Sequence, residues 1–312
     1  MNSSGALGAA EARALRIICG PTAAGKSALA MQLAERHRLA VIGADSRQVY
    51  RGFDIGTAKP TAAERERVRH LGIDVAEPTE RWSAARWAQD AAGWIGEIGT
   101  SGVVVVGGTG LYLRALTSPF FDEPPLDPAR RAALGAELSA WPTDRLRRWV
   151  AKLDPARSHL GRAQLLRAIE VALLTGTPLS RLHDAARRPP PFRARWLVID
   201  PGDALMARID ARIGEMLDAG WVAEARDLAD AVPESAPAWQ ACGYRAVREV
   251  ALGRKTVADV RAGILVRTRQ YAKRQRTWFR HQLAGMDVTR LDPRDPRTVS
   301  AVESWWEAED GA

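Results

Sequence analysis

The stretch "LRIICGPTAAGKS" spans residues 15–27 and decides the fold. Its first five residues form a short apolar run, which is typical of a strand that is buried on both faces. The next eight, Gly20–Ser27, match the pattern G-x-x-x-x-G-K-[ST], whose backbone amides bind phosphate groups where a helix begins. A strand, this loop and a helix in succession predict a P-loop-type phosphate site.

Three further apolar runs extend this pattern into a sheet. They are "LAVIGA" at residues 39–44, "GVVVVG" at residues 102–107 and "WLVID" at residues 196–200, and helical stretches separate them. Strands that alternate with helices predict an α/β fold with a doubly wound parallel sheet. Ligands of such sheets bind at the carboxyl ends of the strands, so we expect the functional residues there.

The distribution of charge predicts the domain organisation. Residues 127–195 hold 14 Arg or Lys and 6 Asp or Glu, a surplus equal to the net charge of +8 for the whole chain. Proline-rich segments border this arginine-rich helical tract on both sides. We therefore predict a basic, mainly helical insertion domain at residues 122–195. It interrupts a P-loop catalytic core made of residues 1–121 and 196–312, which ends in a helical region.

Composition excludes several classes of protein. Cys19 and Cys242 are the two cysteines of the chain, so neither a disulfide framework nor a cysteine metal site is expected. The N-terminus lacks the pattern of a secretory signal, and no apolar run approaches the length of a membrane span. We expect a cytoplasmic protein with no membrane association. The five histidines show neither metal-ligand spacing nor a nucleophile pattern.

A basic segment near the C-terminus suggests a polyanionic partner. Residues 264–281 contain six basic residues and no acidic one. Four of the basic residues are spaced to share one helical face; they are Arg269, Lys273, Arg276 and Arg280. A basic face can also be an ordinary solvated surface. Tyr271 and Trp278 lie between these cations, and we interpret them as core residues rather than as platforms for bases.

The residues at the strand ends do not fit a nucleotide hydrolase. A P-loop NTPase normally holds Mg²⁺ with an aspartate at the end of another strand. Here the strand at residues 103–106 ends in "GGTGLY", which has no carboxylate. An acidic residue, Asp45, instead follows the second strand in "ADSRQVYRGFDIGTAKP". The loop therefore predicts phosphate binding and leaves hydrolysis open.

Together these motifs resemble the tRNA dimethylallyltransferase family. The resemblance is carried by "GPTAAGKS", "DSRQVYRGFDIGTAKP", "GGTGLYLRAL", "RAIEVALLTG", "CGYRAV" and "TRQYAKRQRTWFR", and it runs from about Leu15 to Arg280. It implies transfer of the five-carbon group of dimethylallyl diphosphate to the exocyclic amine of the adenosine 3′ of the anticodon. The missing carboxylate then has an explanation, because no water is activated.

The resemblance also implies roles in the chemical step. Asp45 is the expected base, and Thr109 and Arg226 are expected to stabilise the departing diphosphate. Ser27 is expected to hold Mg²⁺. The residues expected to bind the diphosphate are Gly20, Thr22, Ala23, Ala24, Gly25, Lys26 and Ser27.

A second set of residues is implied to contact the tRNA anticodon stem-loop. In the family an arginine is expected where this chain has Gln164, and Arg162 in the neighbouring turn is the alternative contact. The expected tRNA-binding residues are Asp45, Ser46, Arg47, Gln48, Arg131, Gln164, Arg167, Gly243, Tyr244 and Arg245.

Two other functions remain as alternatives at this point. A small-molecule or nucleotide kinase would also use a P-loop and an aspartate after the second strand, although "GTAKP" and so long an insertion would be unexplained. An RNA-binding protein with a vestigial phosphate loop is the other, but the intact Lys26, Ser27, Asp45 and Thr109 oppose it. We expect the protein to act as a monomer.

Overall fold

The computed structural model describes residues 14–118, 126–185 and 192–309. The chain divides into two compact units, of which the first comprises Met1–Thr117 and Pro191–Ala312. The second is the helical segment Ser118–Pro190. Residue 122, where we place the start of the insertion domain, lies outside the described residues.

The first unit is built on a six-stranded sheet in the order β3-β2-β4-β1-β5-β6, and every pairing in it is parallel. This confirms the predicted α/β fold with a P-loop-type parallel sheet. The four apolar runs form the inner strands β1, β2, β4 and β5, and all residues of β1, β2 and β4 are buried. The strands are β1 (Leu15–Cys19), β2 (Ala40–Ala44), β3 (His70–Leu71), β4 (Val103–Gly107), β5 (Ala194–Ile199) and β6 (Val288–Leu291).

Helices connect these strands, and among the described residues of the second unit they form all of the regular structure apart from one short 3₁₀ turn. Several begin at residues whose side chains accept a hydrogen bond from the first turn, among them Thr61, Ser83 and Thr256. The helices are α1 (Lys26–His37), α2 (Ala62–Arg67), α3 (Ala84–Ile98), α4 (Gly110–Thr117), α5 (Pro128–Ser139), α6 (Thr143–Leu153), α7 (Arg162–Thr175), α8 (Leu179–Ala185), α9 (Leu205–Asp218), α10 (Trp221–Ala231), α11 (Tyr244–Ala251), α12 (Val257–Gln282) and α13 (Thr298–Glu307).

Helices cover both faces of the sheet. On one face, α1 and α13 bury Leu33 and Trp305 in a cluster with alternate residues of the inner strands. On the other, Trp87 of α3 donates a hydrogen bond from its indole nitrogen to Gly43 O at 2.9 Å. The same indole stacks on Tyr112 of α4, with ring centroids 5.0 Å apart. These contacts hold the carboxyl ends of β1, β2 and β4 in fixed positions.

The helical unit has its own hydrophobic core. Leu138 of α5, Leu146 and Val150 of α6 and Leu165 and Ile169 of α7 are almost completely buried against one another. Asp154 follows α6 and is fully buried, and its carboxylate accepts a hydrogen bond from Ser180 N at 2.9 Å. The unit is therefore packed as a small helical body rather than as an extended arm.

None of the helices in the described part of the chain is long and apolar enough to span a membrane.

Candidate active site

The loop between β1 and α1 has the backbone geometry of a phosphate cradle. Gly20 has a φ of +145°, and a Cβ there would lie 2.2 Å from Ile199 O, so a larger residue is excluded. Gly25 precedes α1 with a φ of +95°. The loop and the start of α1 border a cavity of about 410 Å³. Free backbone N–H groups and the helix dipole make this cavity suited to an anion.

Lys26 lies in the loop, where the protein holds its ammonium group in place. Its Nζ donates a hydrogen bond to Pro21 O at 2.7 Å. Burial lowers the pKa of Lys26 to about 8, and the charge of Arg212 contributes to this shift. The charge of Asp45 opposes it. The amine is therefore still mainly protonated at neutral pH, and a bound anion would favour the protonated form further.

Two arginines of α9 complete the cationic surface, and the sequence analysis missed both. Arg208 Nε donates to Ala23 O at 2.9 Å, and Arg212 donates to Thr22 Oγ1 at 3.4 Å. Both border the cavity beside the loop. Their spacing of four residues on an amphipathic helix was the available signal, but it did not show that this face meets the loop.

Arg226, expected at the diphosphate, lies elsewhere in the structure. It belongs to α10, and its Nε donates to Ala251 O, the last carbonyl of α11, at 3.5 Å. It does not border the cavity beside the loop. The structure therefore brings Arg208 and Arg212, rather than Arg226, to the phosphate loop.

Asp45 and Thr109 follow neighbouring strands and lie side by side. Thr109 N donates to Ala44 O at 3.1 Å, and Thr109 Oγ1 accepts from Ser46 N at 3.0 Å. One oxygen of Asp45 accepts from Arg47 N at 2.8 Å. Within the described ranges Asp45 forms no ion pair, although its charge acts on both Lys26 and Arg212. It is thus an available carboxylate beside a cationic phosphate site.

A second cavity joins Asp45 to an apolar region. Thr22, Asp45 and Arg47 line its polar part, and Cys242 and Tyr271 also border it. Burial raises the pKa of Tyr271, and the nearby Asp45 raises it further. The apolar lining consists of Ile209, Ile213, Met216, Trp221 and Ile264. A ligand with an anionic group and a small hydrocarbon group matches these two parts.

Gln275 of α12 is a further residue that the sequence analysis missed. Its side chain is 5% exposed. Its Oε1 accepts from Thr22 N at 2.8 Å, and its Nε2 donates to Gly108 O at 2.9 Å. One amide therefore ties the phosphate loop to the turn after β4, and so fixes the loop relative to Thr109.

The segment after β2 is also fixed from several sides. Gln48 Nε2 donates to Thr57 O at 3.0 Å and to Ala58 O at 2.9 Å. The buried Lys59 forms ion pairs with Asp54 and Asp74. The donor group of Gln48 is thus used within the protein, which leaves its carbonyl oxygen as the group that could bind a ligand.

The structure changes the role expected for Tyr244. Its side chain is fully buried, and its hydroxyl donates to Glu224 and accepts from Gly56 N at 3.1 Å. Glu224 in turn accepts from Ile55 N at 2.7 Å. The Tyr244 side chain therefore holds the segment after β2 from within the protein interior. Its expected contact with RNA stays a prediction.

Its neighbours Gly243 and Arg245 differ in exposure. Gly243 has a φ of +92°, and a Cβ there would lie 2.3 Å from the Trp221 ring. The side chain of Arg245 is exposed to solvent.

The residues expected to bind tRNA in the helical unit lie on α5 and α7. Arg131 and Arg167 both face Glu170, at 3.4 and 2.9 Å. Gln164 Oε1 accepts from Gly161 N at 3.2 Å, so it caps α7. Arg162 donates to Trp141 O at 2.6 Å and to Ser139 O at 2.8 Å. The guanidinium of Arg162 thus binds backbone carbonyls of its own unit. This argues against Arg162 as the residue that replaces the expected arginine at the RNA.

The basic face of α12 is partly used within the protein. Arg269, Lys273 and Arg280 are exposed, whereas Arg276 pairs with Asp200. Trp278 packs against Gly110, where an added Cβ would lie 2.3 Å from its ring, in agreement with a packing role.

One of the five histidines, His37, has carboxylate neighbours. His37 Nε2 lies 2.7 Å from a carboxylate oxygen of Glu303, and Glu307 lies close by. This group is at the end of α1 opposite to the phosphate loop, so it is not part of the candidate site.

Comparisons with known proteins show the family of this chain. The family model for IPP transferase matches residues 48–282, and that for isopentenyl transferase matches residues 13–80. The tRNA dimethylallyltransferase of Gloeobacter violaceus is 42% identical over 298 residues, which cover 92% of this chain and 95% of that protein. The enzyme of the same name from Thermus thermophilus is 40% identical over 275 residues, which cover 86% of this chain and 90% of that protein.

Two solved structures are similar along most of the chain. The tRNA isopentenylpyrophosphate transferase of Bacillus halodurans is 31% identical with a TM-score of 0.66, and the match covers 94% of this chain and 95% of that one. A eukaryotic dimethylallyltransferase acting on tRNA is 25% identical with a TM-score of 0.78, and the match covers 94% and 78%. The fold and the site define a P-loop-type transferase. The chain belongs to the tRNA dimethylallyltransferase family.

Proposed function

We propose that this protein transfers the dimethylallyl group of dimethylallyl diphosphate to the exocyclic amine of the adenosine immediately 3′ of the anticodon in tRNA. The observation that carries the proposal is the position of Asp45, an unpaired carboxylate within the described residues, between a cationic phosphate loop and an apolar cavity. A kinase would share the phosphate loop, but membership of the family favours prenyl transfer.

The diphosphate end of the donor would lie in the cavity beside the loop. Loop amides, Lys26, Arg208 and Arg212 would contact its oxygens and stabilise the charge that grows as it leaves. Ser27 is exposed at the start of α1, and its hydroxyl has no hydrogen-bond partner among the described residues. It would hold Mg²⁺ together with diphosphate oxygens, since this cation prefers oxygen ligands. Bound Mg²⁺ would neutralise part of the diphosphate charge.

The transfer itself needs a base because an adenine amine is a weak nucleophile. As the amine nitrogen bonds to C1 of the prenyl group, the C1–O bond breaks and its electron pair leaves with the diphosphate. The amine proton passes to the carboxylate of Asp45. Thr109 fixes the backbone of Ser46 beside this carboxylate. No water takes part in the reaction, in keeping with the absence of an acidic residue directly after β4.

The adenosine must leave the anticodon loop to reach Asp45, as in other enzymes that act on a base. Polar groups near Asp45 could bind the adenine. They are those of Ser46, the backbone and side chain of Arg47, and the carbonyl oxygen of Gln48. Arg245 and the exposed cations of α12 would contact the phosphates outside the cavity. The helical unit, with Arg131, Gln164 and Arg167, would bind the same RNA. We further propose that the protein acts as a monomer.

Incubation with labelled dimethylallyl diphosphate or labelled ATP, each with and without tRNA and Mg²⁺, tests this function. We expect prenyl label in tRNA at the adenosine 3′ of the anticodon, and little hydrolysis of ATP. Transfer of the terminal phosphate of ATP to a small molecule would establish the kinase instead. Binding of tRNA with neither transfer would show an RNA-binding protein without catalysis.

A further inference from the structure

The helical unit carries an exposed group of aromatic and basic side chains on α6 that the proposed site does not use. Arg145 lies three and four residues before Arg148 and Trp149, and Lys152 lies four and three residues after them, so the four share one face of the helix. Leu146 and Val150 lie on the adjacent face and are buried in the core of the unit. We call the group formed by Trp141, Arg145, Arg148, Trp149 and Lys152 the tryptophan–arginine face.

The aromatic part of this face is ordered by stacking. The guanidinium carbon of Arg145 lies 3.7 Å from the centroid of the Trp141 ring. The Trp141 and Trp149 rings lie 5.5 Å apart and are tilted by 53°. Trp141 also packs against the core of the unit, which fixes the base of the stack. The ring of Trp149 is thus held by its contact with Trp141 while it remains exposed to solvent.

The exposure of Trp149 is unusual for this protein. Its surface is 40% exposed, and among the described residues it is the one aromatic side chain with such large exposure. An indole offers a large apolar contact area with a polar edge, which is why tryptophan is enriched at interfaces. The core of the unit does not need this ring, because Leu146 and Val150 already fill the buried face of α6.

The charges around the ring indicate the chemistry of the partner. Arg148 and Lys152 form no ion pair with any residue in the described ranges. Asp144, the one acidic residue of α6, lies one turn before Arg148 and pairs with Arg147 instead. Exposed aromatic rings between unpaired cations are typical of surfaces that bind single-stranded nucleic acid, because bases stack on the rings and phosphates meet the cations.

We propose that the tryptophan–arginine face binds an unpaired nucleotide of the RNA substrate, with a base stacked on Trp149 and its flanking phosphates on Arg148 and Lys152. This inference rests on the proposed function for the identity of the RNA. It adds a base-stacking contact in the helical unit that is separate from Asp45 and the phosphate loop. A loop of unpaired nucleotides fits this face better than a duplex, in which the bases are already stacked on one another.

Affinity for two RNAs tests the proposal: an anticodon stem-loop and a blunt duplex with the same number of phosphates. Trp149→Ala should weaken binding of the stem-loop by about 5- to 150-fold, which is the range expected for the loss of one stacked base. Binding of the duplex should change by less than about twofold. Trp149→Phe should restore most of the stem-loop affinity, because the smaller ring still offers a stacking surface.

Charge variants provide the matched comparison. Arg148→Gln combined with Lys152→Gln should flatten the dependence of stem-loop affinity on salt, with a slope smaller by about 1.4, the value for two phosphates of a single strand. Arg147→Gln is the control, since Arg147 lies on the same helix but pairs with Asp144. It should leave the slope almost unchanged. Circular dichroism and thermal unfolding of each variant show whether the helical unit remains folded.

Three results would overturn the proposal. The first is unchanged stem-loop affinity in a folded Trp149→Ala variant whose parent prenylates tRNA; the proposed function would then stand without this contact. The second is equal loss of affinity for the stem-loop and the duplex, which would leave no role for stacking. The third is a dimer that Trp149→Ala dissociates while RNA affinity stays constant, which would assign the face to a second copy of the chain. Failure of the parent protein to prenylate tRNA would instead count against the proposed function.

Discussion

The cations beside the phosphate loop differ from two exposed cations of the helical unit, Arg148 and Lys152, in how much of their bonding capacity the protein itself uses. Lys26, Arg208 and Arg212 each donate to a carbonyl or hydroxyl of the loop. Arg148 and Lys152 have no ion pair with the described residues. Cations held in place stabilise charge without reorganising during the reaction. Free cations on a surface act through counterion release and tolerate many positions of the RNA.

One basic protein can therefore contain two kinds of positive charge, one that stabilises the leaving diphosphate and one that binds RNA phosphates. Substitutions at the loop should affect the chemistry strongly and RNA affinity little. Substitutions on the helical unit should do the reverse. The predictions below test that separation.

The largest effect is expected at Lys26. Lys26→Ala should lower kcat/KM for dimethylallyl diphosphate by about 10²-fold or more, because a positioned cation no longer stabilises the leaving diphosphate. Steady-state prenyl transfer with tRNA in excess measures this loss. Binding of tRNA to the same variant is the control and should be almost unchanged; a parallel loss of tRNA affinity would contradict the separation.

A smaller effect is expected at Gln275. Gln275→Ala removes the amide that joins Thr22 N to Gly108 O. We expect kcat to fall by about tenfold because the loop shifts relative to Asp45, and small displacements of reacting groups are costly. Gln270→Ala, an exposed position on the same helix, is the matched control. Equal activity of the two variants would show that the hydrogen bonds of the Gln275 amide have no part in catalysis.

The dependence of donor binding on pH should follow Lys26. Burial lowers its pKa to about 8 in the free protein. The protonated amine attracts the diphosphate, so donor affinity should be constant below this pKa and fall several-fold as the pH rises through it to about 9. The measurement is kcat/KM for the donor from pH 6.5 to 9.5. Lys26→Arg should remove the fall, since a guanidinium stays charged; a fall that persists would assign it to another group.

The smallest effect on activity is expected at Tyr244. Tyr244→Phe removes the hydroxyl that bonds to Glu224 and Gly56 N. Because buried polar groups lose their partner, the free energy of unfolding should fall by about 1 to 3 kcal/mol. Denaturant unfolding measures this change. The affinity for tRNA should stay within about twofold, and a large loss of RNA affinity in a folded variant would restore the direct contact that we first expected.

The sequence predicted the centre of the sheet better than its edges. The apolar runs of β1, β2, β4 and β5 are what burial on both faces requires. β3 has two residues, and β6 is a short edge strand, Val288–Leu291, with no run of apolar residues. Edge strands are partly solvated, so their sequences need not carry the pattern of the interior.

The candidate site was predicted where its residues are close in sequence. The loop at residues 20–27 and Asp45 could be found because a P-loop and the end of a strand define their own geometry. Arg212 and Gln275 could not, because they reach the loop from helices 190 and 253 residues further along the chain. The burial of the Tyr244 side chain could not be predicted either, since a polar side chain in a conspicuous motif can face the interior.

The measurement that tests the central claim most directly compares two variants in single-turnover prenyl transfer and in tRNA binding. With saturating tRNA, Asp45→Asn should lower the transfer rate by about 10²-fold or more, because the amine proton has no acceptor, and should leave tRNA affinity nearly intact. Arg130 is exposed on α5 beside Arg131. Arg130→Gln combined with Arg131→Gln should weaken tRNA binding and flatten its dependence on salt, yet leave the transfer rate at saturation almost unchanged. Near-normal transfer by Asp45→Asn, or a loss of transfer at saturation in the arginine variant, would contradict the account.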